Sequence, residues 1–267
     1  MTSQILIVIF LTFVIHLIIT LSYSVRIVGV RTRRIAVSFA LFNVLVLVSR
    51  TANSFQAPLL AKYVESNIAG NIMNPTSTPF RWIILSASLA TIAGGLLIPS
   101  FQRFFSIAVT SFSAHRSIPR LILHAFLKGG IRCSSALLAV PSSRNITQFS
   151  EKKPLPIKIL IYNIFAVAIL TVGVLASLYA GYLNPEFRVT SSSLSAVING
   201  LATILMFVFI DPYLSVLTDD VIDCKCSESY FRQVVVALVI SRFIGTLLAQ
   251  VIFIPAAKII ATVSVLL

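Results

Sequence analysis

Apolar residues in this chain come in long, nearly unbroken runs, and the charged residues gather between them. The runs cover residues 5–21, 35–60, 82–101, 157–183, 194–217 and 231–257. Most approach or exceed the ~20 residues that carry an α-helix across a ~30 Å hydrocarbon layer. The pattern predicts an all-α fold: a polytopic helical membrane protein with about six transmembrane helices in a single domain. The opening Met-Thr-Ser-Gln holds no cation before the first run, so that run is expected to be a membrane span and not a cleaved signal. Gly94, Gly95 and Pro99 predict a bend in the third span. Gly173, Ser177 and Gly181 recur every four residues in the fourth, as do Ala176 and Ala180, and small residues so placed predict close helix packing. Tyr179 and Tyr182 suit a membrane–water interface.

Composition agrees with lipid as the solvent. Of 267 residues, 57% are hydrophobic and 11% charged, against about 25% charged in soluble domains, and the mean hydropathy is +0.97. The net charge of +13 would suggest nucleic acid in a soluble protein. Here the cations cluster in loops, no aromatic-basic RNA-binding motif is present, and orientation by the positive-inside rule is the ordinary explanation. Attraction to anionic head groups is the alternative. The first loop holds Arg26, Arg31, Arg33 and Arg34, and residues 103–158 carry nine Lys or Arg against Glu151. Placing both segments in the cytoplasm puts both termini outside. One loop dissents, since "TDDVIDCKCSESYFR" is acidic yet falls on the cytoplasmic side, but acidic residues count little in this rule.

Residues 102–156 form a basic cytoplasmic loop. Within it Arg116, Arg120, His124, Lys128 and Arg132 recur every four residues, with Ile118, Leu121, Ile122, Ala125, Phe126 and Cys133 on the other side. That spacing predicts a basic amphipathic helix lying in the inner interface. Its charged face meets water and lipid head groups, or else a substrate's acidic head group. "EKKPLP" then reads as a linker into the fourth span.

The second span is unusual. Residues 35–49 make only ~22 Å of helix, so the span must run on through "SRTANSFQAPLL" and carry Arg50 at membrane depth. At about 100° per residue, Ser49, Arg50, Asn53, Gln56 and Ala57 share one face, with Val44, Val48, Phe55 and Leu59 opposite. A polar stripe inside a bilayer must face protein or a water-filled cavity. Arg242 in "LVISRFIGTLLAQ" lies ~16 Å beyond Phe231, again near mid-membrane. Its lead-in echoes "LVLVS" before Arg50, although a three-plus-three inverted repeat would pair the second span with the fifth. Asp211, followed by Pro212, stands near the cytoplasmic end of the fifth span. Asp211 and Arg242 offer each other an ion pair that would lower the cost of both charges. The alternative is that these arginines receive a visiting anion, which Arg50, lacking an acidic partner in any span, favours; the planar guanidinium suits phosphate. Arg50, Asn53, Gln56, Arg242 and Asp211 are therefore the candidate substrate-binding residues.

Other motifs carry less. Asp219, Asp220 and Asp223 have the spacing by which prenyl-transfer enzymes hold magnesium, but such enzymes need two facing aspartate-rich sites and this chain has one. Cys224 and Cys226 lack the further ligands of a structural zinc site, and three cysteines make no disulfide framework. His16 reads as a packed residue. Asn145-Ile-Thr147 matches a glycosylation sequon but falls on the cytoplasmic side. There is no Walker A sequence, serine–lysine pair or His-Glu zinc signature. No metal, cofactor or enzymatic activity is expected.

The stretches "SYSVRIVGVRTRRIAVSFALFNVLVLVSRTANSFQAPLLAK" and "LVISRFIGTLLAQVIFIPAA" resemble the Amj family, bacterial lipid II flippases described as an alternate to MurJ. The resemblance extends over essentially the whole chain, and "SRTANSFQAPLL" is its most specific part. It implies movement of undecaprenyl-pyrophosphate-linked peptidoglycan precursor from the inner to the outer leaflet of the bacterial cell membrane, with membrane lipid and that precursor as partners. It implies no residue-level mechanism and no oligomeric state. An ion-coupled transporter of another anionic substrate, or a membrane-embedded lipid-phosphate enzyme centred on Asp219, Asp220 and Asp223, remain the rival readings.

Overall fold

A bilayer interior offers the backbone no water, so a spanning chain must satisfy its own N–H and C=O groups, and helices do this within one segment. The computed structural model describes residues 2–70, 76–115 and 154–267, and these fold as long helices. They are α1 (Ser3–Thr32), α2 (Ile35–Ala69), α3 (Thr78–His115) and α4 (Ile157–Leu183). A composite fifth span follows over Pro185–Ile222: a short 3-10 turn, α5 (Arg188–Leu205), a π turn over Met206–Ile210, and α6 (Asp211–Ile222). The last helix is α7 (Glu228–Leu266). Among the described residues six stretches are long and apolar enough to cross a membrane, as an all-α polytopic protein requires. The amphipathic helix expected between residues 116 and 133, the "EKK" of the linker and the sequon lie outside the described residues.

Local chemistry sets the helix ends and irregularities. α1 runs well past the apolar stretch, taking Arg26 and Arg31 into the helix instead of a loop. It stops where Arg33 turns left-handed at φ 53° and its N–H caps the Gly29 and Val30 carbonyls. Gly29 makes the turn to α2 possible, because a Cβ there would stand 3.0 Å from the Ile35 Cα. α3 passes through Gly94, Gly95 and Pro99 as one helix. In the fifth span Pro212 lacks an N–H and would crowd the carbonyl four residues back. The π turn just before it accommodates that defect.

Two three-helix units make up the bundle. α1 is the centre of the first, with α2 and α3 packed along it and touching each other little. α4 is the centre of the second, flanked by α5 and α7 in the same way. The units meet mainly where α7 packs against α3 and α1. In each unit a glycine on the third helix lies hard against the first. A Cβ on Gly94 would come within 2.8 Å of the Thr20 Cβ, and one on Gly245 within 2.7 Å of the Ile164 carbonyl oxygen. In both units the second span in chain order, α2 or the fifth span, is an outer element packed mainly on the central helix.

Small residues on α4 do pack. Gly173 faces the Asn199 side chain, a Cβ on Gly181 would stand 3.2 Å from the Arg188 Cβ, and Ala176 and Ala180 are wholly buried. Tyr179 is buried in an aromatic cluster, edge-on to Phe80 and tilted against Phe253. That cluster belongs to the core near the end of the bundle where both termini lie, with Ile5, Val8, Leu60 and Val64. Two further clusters fill the opposite end, one around Tyr23, Ile27, Ile210 and Phe231 and one around Val25, Phe42 and Phe105. A polar layer lies between.

Candidate functional site: a buried polar layer and a lateral groove

The polar layer begins on α1, where Thr12, His16 and Thr20 recur every four residues and so stack on one face. All three are buried. Gln56 of α2 donates to the Thr12 hydroxyl at 3.0 Å, and Thr12 donates to the Val8 carbonyl at 2.8 Å. Arg242 of α7 reaches His16 Nδ1 with Nη2 at 3.2 Å. On the far side Asn163 of α4, fully buried, donates to Ser241 Oγ at 2.7 Å and to the Leu238 carbonyl at 3.1 Å, and accepts from the Tyr23 hydroxyl at 3.1 Å. Side-chain hydrogen bonds thus cross from α2 through α1 and α7 to α4. His16, Arg242 and Arg50 each stand about 20 Å along their helices, close to mid-membrane depth.

Arg242 is wholly buried, and its partner is not Asp211. The ion pair considered from sequence does not form, because Asp211 pairs with Arg26 of α1 at 3.7 Å. Arg26 also donates to Ser215 Oγ at 3.0 Å and lies 4.9 Å above the Phe39 ring of α2. One α1 side chain thereby joins both outer helices, α2 and α6, at the basic end of the bundle. Nearby Arg31 binds Glu228 at 2.6 Å, linking α1 to the start of α7.

The polar stripe of α2 divides. Ser49 and Gln56 turn inward and are buried, whereas Arg50 and Asn53 are exposed. Among the described residues no ion pair or hydrogen bond engages the side chain of either of the exposed two. Phe39, Arg50 and Ala61 are spaced eleven residues apart, three helical turns each, and so lie in one line along α2. At its basic end this line meets the Arg26 cluster through Phe39. At the other end Ala61, Val64 and Glu65 border a crevice with Leu178 and Gly181 of α4 and Arg188, Val189, Ser192 and Ser193 of α5. In α5 Gly200 has open space beside it, and the fifth span is the least buried of the six. These features outline a candidate lateral groove between the two outer helices, with Arg26 at its basic end, the crevice at the other, and the exposed Arg50 guanidinium about halfway along α2 between them. Such a groove can shelter a polar, anionic group while an attached apolar chain stays in lipid.

Arg50 and Asn53 lie on the exposed part of α2, and Asp211 lies at the basic end with Arg26. Gln56 and Arg242 belong to the buried layer. Sequence reasoning missed Arg26, Phe39 and Ser215 as a junction, and it missed the His16–Arg242 pair, for which the four-residue spacing of Thr12, His16 and Thr20 was the available signal. Asp219, Asp220 and Asp223 stand at the end of α6, where Lys225 binds Asp223 at 2.8 Å. Among the described residues no group of three His, Cys, Asp or Glu is placed to hold a metal ion.

Comparison with known proteins adds three findings. A family model described as Amj, alternate to MurJ, matches residues 11–264. A curated protein of Bacillus subtilis (strain 168), the lipid II flippase Amj, is 37% identical over 261 residues, which cover 97% of this chain and 96% of that protein. No solved structure matches.

Proposed function

The chain belongs to the Amj family, and from that premise we propose that it moves lipid II, the undecaprenyl-pyrophosphate-linked peptidoglycan precursor, from the inner to the outer leaflet of a bacterial plasma membrane. The basic end of the bundle lies in the cytoplasm and both termini lie outside, as the distribution of loop cations favours. Lipid II carries a long apolar tail, a pyrophosphate and a bulky sugar-peptide. Only the polar part needs protein, so a groove open sideways to lipid suits it better than an enclosed tunnel.

In this reading Arg50 holds the pyrophosphate halfway across and Asn53 supports it by hydrogen bonding. Entry requires Arg26 to leave Asp211 and Ser215, which frees the basic end of the groove and presents a second guanidinium to the arriving anion. Gln56 and Arg242 hold the wall behind. Outward movement of an anion from a negative interior is downhill by ~2.3 kcal/mol per charge per 100 mV. The observation that carries the reading is Arg50 itself: an exposed guanidinium at mid-membrane depth, without a protein partner among the described residues, on the line along α2 between the two ends of the groove.

Complementation tests it. The chain is expressed in a bacterium depleted of its resident lipid II flippase, and lipid II in the outer leaflet is measured with an external probe. Growth and externally accessible lipid II are the expected results. Failure of both, with the protein inserted at normal abundance, counts against the assignment.

A further inference from the structure

We propose that Arg242 and His16 form a buried binding site for a small dehydrated monoanion, a halide by class, distinct from the groove that receives substrate. Charge is the first reason. Arg242 is 0% exposed, and an arginine keeps its proton under any condition that preserves a fold. Its charge meets no carboxylate among the described residues: Asp211 is engaged by Arg26, and Glu228 by Arg31 and Arg232. A full charge removed from water in this way is costly unless a counter-charge accompanies it.

Hydrogen bonding leads to the same place. Arg242 Nε and Nη1 are both buried and have no partner. The hydroxyls one turn or one residue away donate to backbone carbonyls, Thr20 to His16 at 2.7 Å, Ser241 to Leu238 at 2.9 Å and Thr246 to Phe243 at 2.7 Å, and none of them accepts from Nε or Nη1. The contact from Nη2 fixes His16. A guanidinium can only donate, so Nδ1 must be the accepting nitrogen and the ring proton sits on Nε2. The imidazole is then neutral, the pair carries a single positive charge, and one monovalent anion balances it.

Size and charge select a halide over the substrate. A lipid-linked pyrophosphate is multiply charged and attached to bulky groups, and it cannot enter a guanidinium site with no exposed surface. A halide is spherical, singly charged and weakly hydrated enough to lose its water for unpaired N–H donors. The site also has a structural consequence, because α1 and α7 belong to different three-helix units. An anion there fastens the units together behind the groove.

The test uses the full chain in detergent. Thermal unfolding is followed while sodium bromide or chloride replaces sodium gluconate at constant ionic strength, and crystals grown in bromide are examined for an anomalous peak. The expected result is a saturable rise in Tm with both halides and a bromide peak at the Arg242 guanidinium. Arg242→Lys, which keeps the charge but loses most of the donors, should weaken the halide effect by about tenfold. Arg50→Ala should leave it unchanged, and that separates this proposal from the transport reading. No saturable halide effect in the wild-type chain, an effect undiminished in Arg242→Lys, or a peak at Arg50 instead overturns it. The wild-type titration decides the matter even where an Arg242 variant does not fold.

Discussion

Arg50 and Arg242 are the same residue at about the same depth, each introduced by a similar apolar stretch ending in serine, yet their surroundings are opposite. Arg242 is enclosed by α1 and α7 and spends one N–H on His16, with two nitrogens left over. Arg50 is exposed on the outer side of α2 with no side-chain partner among the described residues. The difference follows from position within the units. α7 sits at the junction of both halves, so a polar side chain on it is trapped between helices. α2 is an outer helix with only one side occupied, so half of its polar stripe faces inward and half is exposed. Membrane depth sets what an arginine costs; the neighbouring helices decide whether it is a structural charge or an accessible one.

The comparison can be broken at glycines first, where the expected effect is largest. Gly245 lies in the closed region against the Ile164 backbone, and Gly200 faces open space. Gly245→Val should abolish accumulation of the protein in membranes, because the obstacle is a backbone carbonyl that cannot rotate away. Gly200→Ala should stabilise the fifth span by about 0.5–1 kcal/mol, read as a higher Tm in detergent. Equal tolerance at both positions would mean that the two regions are packed alike.

Gln56 and Asn53 sharpen it at a smaller scale. Gln56→Leu removes the interhelical bond to Thr12 and should cost about 0.6–1 kcal/mol, the usual size of such bonds in membranes. Asn53→Leu removes nothing structural, so the protein should unfold at the wild-type temperature while transporting less. Smallest in stability is Asp211→Asn. Its ion pair with Arg26 is half exposed on the Asp side, and such pairs contribute ~0–1 kcal/mol. Membrane abundance should hardly change, but a cysteine introduced at Asn43 should be labelled faster by an impermeant thiol reagent supplied from the basic side.

Much of this was legible in the residues. Run lengths gave away the six spans, and the small-residue stripe of α4 announced its packing. Helical phase put Ser49, Arg50, Asn53 and Gln56 on one face. Which part of that face meets protein was not legible, since it depends on where α1 lies, and phase within one helix carries no such information. The partner of Asp211 was misplaced for a related reason. Arg26 looked like a loop residue because the chain becomes polar there, but α1 continues through it to Thr32 and brings it across to α6. The His16–Arg242 contact joins residues 226 positions apart, and only the packing of α7 on α1 reveals it.

Arg50→Ala is the variant on which the groove stands or falls, measured by lipid II exposed at the outer surface of cells that depend on this chain, with membrane abundance and Tm recorded alongside. Truncating an exposed side chain should leave abundance and Tm near wild type. Lipid II exposure should nonetheless be lost, with Arg50→Lys intermediate because it keeps charge without the planar fork. Normal exposure of lipid II by Arg50→Ala at normal abundance would contradict the ligand role, and the path of the pyrophosphate would then lie away from the outer face of α2.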